Sequence, residues 1–192
     1  MKLIRNLFAL IGVATLILVI VVSLRLLPKL DEFDPGFVSV YREFASELWR
    51  TGEPGAAMMW AVPVEEGLST DDVIESLKSL AIANDFFFAG EAPFYRQIEA
   101  ITGETYRYVN FLSFCDALVG RDMLDYRDHY SGFMPCRIAL LEDHDGRLWL
   151  YSMNLDLMIY GGHPLPDDLK ASAIRVRDTI LRIMQGAAAG EF

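Results

Sequence analysis

Histidine and cysteine are scarce in this chain: its 192 residues hold three of the first and two of the second, Cys115 and Cys136. They form no Cys-x-x-Cys and no close His pair, which excludes a closed structural zinc site and the Cys-x-x-Cys-His attachment of c-type haem. A Walker loop, a Gly-x-Ser-x-Gly elbow and a His-Glu-x-x-His motif are also absent, which removes the commonest nucleotide-binding and hydrolase signatures. Positive charge is scarce beyond residue 30. The first 30 residues carry Lys2, Arg5, Arg25 and Lys29 and no acid, and the remainder has 13 basic against 27 acidic side chains, net −14. Phosphate affinity depends on clustered Lys and Arg, so nucleic acid is excluded as a partner. Apolar residues, by contrast, make up 53% of the chain, too many for disorder.

The apolar excess is concentrated at the N-terminus. Residues 7–24 read LFALIGVATLILVIVVSL without a charge, and at 1.5 Å per residue they span about 27 Å, against about 30 Å of bilayer hydrocarbon. Extension through residue 27, with Arg25 snorkelling to the interface, completes a span over residues 7–27. A cleaved signal needs a shorter apolar region and small residues at its end; bulky Leu24, Leu26 and Leu27 stand there instead. Residues 1–29 are therefore read as an uncleaved transmembrane signal-anchor, a single pass in the cell membrane. Basic residues flank both ends. The short basic segment ahead of the apolar run puts the N-terminus in the cytoplasm and the acidic domain outside, periplasmic in a Gram-negative source.

Residues 30–55 read as an acidic linker followed by an amphipathic helix carrying Val38, Tyr41, Phe44, Ala45, Leu48 and Trp49 at helical spacing. The mixed polar face of that helix favours packing on the domain over lying on the membrane. Residues 56–192 read as one domain. Strands are expected at 56–64, 85–90, 106–114, 136–142 and 148–153, with helices from Ser69, Ala92, Asp116 and Pro166 onward. Residues 154–160 fit either state, and the small-residue tail 185–192 is expected to fray or to dock only through Phe192. That order indicates an α+β fold, mainly an antiparallel sheet with helices on one face, plus the N-terminal transmembrane helix.

Cys115-Asp116-Ala117, then Met134-Pro135-Cys136-Arg137-Ile138, then the acidic Asp143-His144-Asp145-Gly146 hairpin with Leu148-Trp149-Leu150, resemble the bacterial and archaeal domain of unknown function 302 family. The similarity is clearest over residues 105–160. Family members often carry Cys-Asn-Pro where this chain has Cys-Asp-Ala. The resemblance implies a compact α+β domain, dimeric in some forms, and no assigned reaction. This longer, tethered form is similar to members from sulfur-oxidising bacteria.

Candidate chemistry gathers at Cys115 and Cys136, with Met134 and Arg137 beside the second. Three readings stay open: two buried apolar residues, a disulfide, or a reactive thiol pair or soft-ligand set for a metal, a sulfur species or haem iron. The disulfide would close a loop of about 20 residues, worth about 3 kcal/mol in the chain-entropy view. Non-covalent haem would draw axial ligands from Cys115, Cys136, Met134, Met158, His129 or His163. Met58, Met59, Met134, Met153 and Met158 read first as core filling and second as soft-metal ligands. A polar cluster, Asp122, Asp125, Asp128 and His129, would seat a metal or an acid–base pair if Asp125 and His129 stood one helical turn apart; a solvated surface is the favoured reading. Surplus aromatics on an outer sheet face would form a homodimer interface or a ligand pocket.

The function that follows is a membrane-anchored, non-enzymatic binding or accessory domain beside a membrane redox or sulfur-oxidation system, its redox partner in the same membrane. The alternatives are a thiol- or haem-dependent redox protein using Cys115 and Cys136, and a metal-dependent hydrolase around Asp125 and His129.

Overall fold

The structure, a computed structural model, describes residues 2–192, with the side chains of Leu3, Leu26 and Leu27 outside that description. Lys2–Leu30 is one continuous helix, α1, of 29 residues, with Pro28 in its last turn. It is long and apolar enough to cross a membrane, and none of its apolar window is buried in the protein. Phe37–Thr51 (α2) ends on Gly52, whose φ of 72° lets its N–H reach back to the Leu48 carbonyl.

Residues 56–58, expected as strand, belong instead to a helical turn, Pro54–Met58 (α3). Pro54 opens that turn because it has no N–H to satisfy there. The first strand, β1, is Met59–Pro63. Then come Thr70–Ala83 (α4), Phe87–Ala92 (β2), Phe94–Thr102 (α5), Val109–Cys115 (β3), Ala117–Tyr126 (α6), a 3₁₀ turn at Asp128–Phe133, Cys136–Glu142 (β4), Leu148–Met153 (β5), Asp156–Tyr160 (α7) and Asp167–Ala188 (α8). Helix α4 starts where its capping chemistry is complete: Ser69 Oγ accepts from the Asp72 N–H (3.2 Å) and the Asp72 carboxylate accepts from the Ser69 N–H (2.9 Å).

The five strands form one antiparallel sheet in the order β1-β5-β4-β3-β2. Strands β2 to β5 are a meander and β1 adds beside β5, so the connection through α4 must run from one edge of the sheet to the other. Pro63 closes an edge strand, where its missing N–H costs no ladder bond. Helices α4 and α8 cover one face: Val73, Leu77, Ile180, Ile183 and Met184 pack on Leu112, Phe114, Ile138, Leu140 and Leu150. The tail does not fray at residue 185. Gly186, Ala187 and Ala188 are buried within α8, and the Ala188 carbonyl accepts from the Glu65 N–H (2.8 Å). Phe192 itself is 68% exposed; small residues let the helix end lie close to α4, where a large anchor would not fit.

The β4–β5 hairpin is held by one side chain. Asp143 Oδ1 accepts from the Asp145 and Arg147 N–H groups (2.9 and 3.0 Å), and Oδ2 accepts from the Trp149 indole and Arg147 Nε (2.9 and 3.1 Å). The Arg147 N–H is the largest influence holding its carboxyl at about 2, below the ordinary 3.8, with the Trp149 indole and Asp145 N–H adding to it against some desolvation. A depressed folded-state pKa stabilises above the unfolded value and is lost as pH falls through the folded one. Asp143→Asn is therefore expected to melt below the unsubstituted protein at pH 6, with the gap closing between pH about 4 and about 2. Thermal melts across that window check it, and a gap independent of pH contradicts it.

Candidate functional site

Strand β3 ends at Cys115, and Asp116 turns the chain at once into α6 by accepting from the Leu118 and Val119 N–H groups (3.0 and 3.1 Å). Helix α6 therefore runs back over the strand end with Val119, Gly120 and Met123 facing inward. The 3₁₀ turn then carries Tyr130 and Phe133 to the same place, a cis Met134–Pro135 peptide follows, and β4 begins at Cys136, opposite Phe114. Helices α7 and α8 close the far side with Met158, Ala173 and Val176.

These elements line a small, partly open apolar cavity of about 40 Å³. Five sulfur-bearing side chains line it: Cys115, Met123, Met134, Cys136 and Met158. Gly120 is the floor between two of them, since a Cβ there would lie 3.3 Å from Met134 Sδ and 3.4 Å from Cys115 Sγ. Both thiols are free. Burial, with a smaller contribution from neighbouring Cys115, pushes the Cys136 thiol from 9.0 up to about 11. Burial and Asp116 also raise Cys115, whose Sγ–H faces the Asp116 carbonyl at 3.6 Å. A catalytic thiol needs the opposite shift.

Three of the four residues nominated around the cysteines thus come together: Cys115, Cys136 and Met134. Arg137 does not join them, because strand neighbours point to opposite faces; its guanidinium lies 5.3 Å over the Phe111 ring on the outer face. Helix α6 ends at Tyr126 and Arg127 is extended, so Asp125 and His129 are not one helical turn apart. Asp122 pairs with exposed Arg121 (2.7 Å), and His129 packs against Tyr130. Among the described residues no group of three His, Cys, Asp or Glu side chains forms a metal cluster. His163 serves another purpose, donating to the Glu32 carbonyl (2.8 Å). Met153 lies in β5 opposite Met59, away from the cavity. Sequence reasoning missed Met123 and Gly120; the only signal for Met123 was its place one turn beyond Val119 on the inward face of α6.

The outer face of the sheet is open. It forms a groove of about 960 Å³ lined by Phe111, Arg137, Ala139, Trp149 and Tyr151. Phe133, Met134 and Cys136 belong to the walls of both the groove and the cavity, so the two are neighbours.

The family description "Domain of unknown function DUF302" matches residues 60–187. No curated protein matches the chain. Among solved structures, the fold is similar to that of an uncharacterized conserved DUF302 protein from Bacillus stearothermophilus, with a TM-score of 0.55 and 13% identity over 66% of this chain and 95% of that one. At that identity the likeness is one of fold.

Proposed function

Because the chain belongs to the DUF302 family, whose name assigns no reaction, we propose its function from the cavity: a membrane-anchored binding or accessory domain that holds a soft monovalent metal ion, Cu(I) in chemical type, among five sulfurs. Residues 1–29 are its anchor, 30–55 its joint and first helix, and 56–192 its binding domain, placed on the outer side of the cytoplasmic membrane. The observation that carries this reading is the lining itself. Thiolate and thioether donors select Cu(I) over harder divalent ions. A cavity of about 40 Å³ is far below the roughly 300–1,000 Å³ of organic-ligand pockets, so it suits an ion better than a porphyrin. Each cysteine that ligates releases its proton to solvent; the three methionines have none to release. The neighbouring groove is the approach for a membrane redox partner or a second copy.

A thiol redox pair is the second reading, favoured by one fact: Cys115 and Cys136 are free and line the same cavity. The raised Cys136 pKa argues against it, since little thiolate is present at neutral pH.

Anaerobic titration of the detergent-solubilised full chain against a chromophoric Cu(I) chelator tests the proposal. One equivalent of bound ion is expected. Gly120→Ala sets a methyl 3.3 Å from Met134 Sδ and 3.4 Å from Cys115 Sγ, displacing these donors slightly, which should weaken binding by about tenfold, or about 1.4 kcal/mol. Its helix gains up to about 1 kcal/mol of propensity, which offsets part of the packing cost, so affinity should fall by more than stability does. No uptake sinks the proposal, and unchanged affinity in Gly120→Ala moves the ion elsewhere.

A further inference from the structure

Helix α2 presents two apolar sides. Val40, Phe44 and Leu48 face inward, where the helix meets α3 and α7. Val38, Ala45 and Trp49 recur on an adjacent side, about a third of a turn round the helix, and stay exposed, Val38 to 61% and Trp49 to 92%. Tyr41 lies between the two sides, its hydroxyl donating to the Gly161 carbonyl (3.1 Å). We propose that this outer side lies in the interfacial layer of the bilayer that α1 spans, an inference that rests on the reading of α1 as the anchor.

The joint carries the argument. Residues 31–36, read from composition as a linker, are docked on the domain. The Asp34 side chain is 1% exposed and ion-paired with Lys170. The Asp34 N–H donates to the Gly162 carbonyl (2.9 Å), and Phe33 stacks between Phe37 and His163 at 4.4 and 5.1 Å. The Glu32 carbonyl, fixed by His163 at 2.8 Å, is two residues from the end of α1, a reach of at most about 7 Å. The domain therefore cannot drift from the end of the span, and the start of α2 is held at the membrane surface. The exposed side chains have the chemistry of that layer. A Trp ring such as that of Trp49 settles at headgroup depth, and exposed Arg42 can lay its stem along the stripe with its guanidinium among phosphates. The net charge of −14 beyond residue 30 repels anionic lipid, so apolar burial must drive the contact.

The test is tryptophan fluorescence of the full chain in phosphatidylcholine nanodiscs with and without brominated acyl chains. A blue-shifted emission component quenched by bromine is expected, and its loss in Trp49→Phe assigns it, since Trp60 and Trp149 remain. Adding anionic lipid should not strengthen the quenching, and an increase would overturn apolar burial as the driving force. Water-like, unquenched Trp49 emission with α1 inserted would overturn the inference while sparing the anchor. A blue-shifted but unquenched Trp49, with two chains per disc, would overturn it in favour of a helix–helix dimer. Failure of the chain to enter the discs would overturn both the anchor reading and the inference.

Discussion

Replacing Lys170 by Met is expected to release the joint between α1 and the folded domain. Asp34 keeps the Gly36 N–H at 2.8 Å, but its carboxylate is sealed from water and Lys170 is its cationic partner. The same ammonium sits 5.0 Å over the Tyr160 ring. Removing one partner of a buried pair strands the other at a cost of about 3–5 kcal/mol. The protein can avoid that cost locally, by swinging residues 31–36 out and giving up the Asp34–Gly162 and Glu32–His163 hydrogen bonds. The expected result is a loss of hydrogen-exchange protection of about a hundredfold or more at the amides of Asp34, Gly36 and Phe37. Amides of the central strands should change little. Asp34→Asn combined with Lys170→Met should restore much of the protection, because no charge is then stranded. Unchanged protection in Lys170→Met alone would mean that the ion pair does not hold the joint.

Phe114→Ala is expected to lower unfolding stability by about 3–5 kcal/mol, the range for truncating a buried aromatic. The ring is fully buried, lies 5.6 Å from Phe88 and sits opposite Cys136 across the ladder. A domain of this kind has only about 5–15 kcal/mol to lose. Phe133, on the rim of the cavity and 39% exposed, should cost much less on the same change. Denaturant unfolding in detergent followed by near-ultraviolet circular dichroism separates the two. Equal effects would place the core elsewhere than between α4, α8 and the sheet.

The β4–β5 hairpin was legible to the residue because its information is local: Asp143 and Gly146 shape the turn, and alternation marks both strands. Gly103 likewise stops α5 where a left-handed residue is needed, at φ 72°. The docked joint was not legible. Its composition is that of a linker, and what makes it a structural element is Lys170, 136 residues away in the chain. The Gly161-Gly162-His163 loop is part of the same joint; its carbonyls accept from Tyr41 and Asp34, contacts that no sequence pattern announces. Cys115, Cys136 and Met134 stood out as a group, since two cysteines invite comparison and Met134 adjoins one. The cavity as a set of five sulfurs required knowing that α6 folds back over β3 and that α7 meets it there. A methionine on an amphipathic helix looks the same whether it fills a core or faces an ion.

X-ray absorption at the copper edge of the Cu(I)-loaded full chain tests the central claim most directly. A first shell of three or more sulfur atoms at about 2.3 Å, the distance of a metal–thiolate bond, is the predicted result, with loss of sulfur scatterers when Cys115 and Cys136 are both replaced by serine. A shell dominated by nitrogen or oxygen, or a sulfur shell untouched by that double replacement, would contradict it.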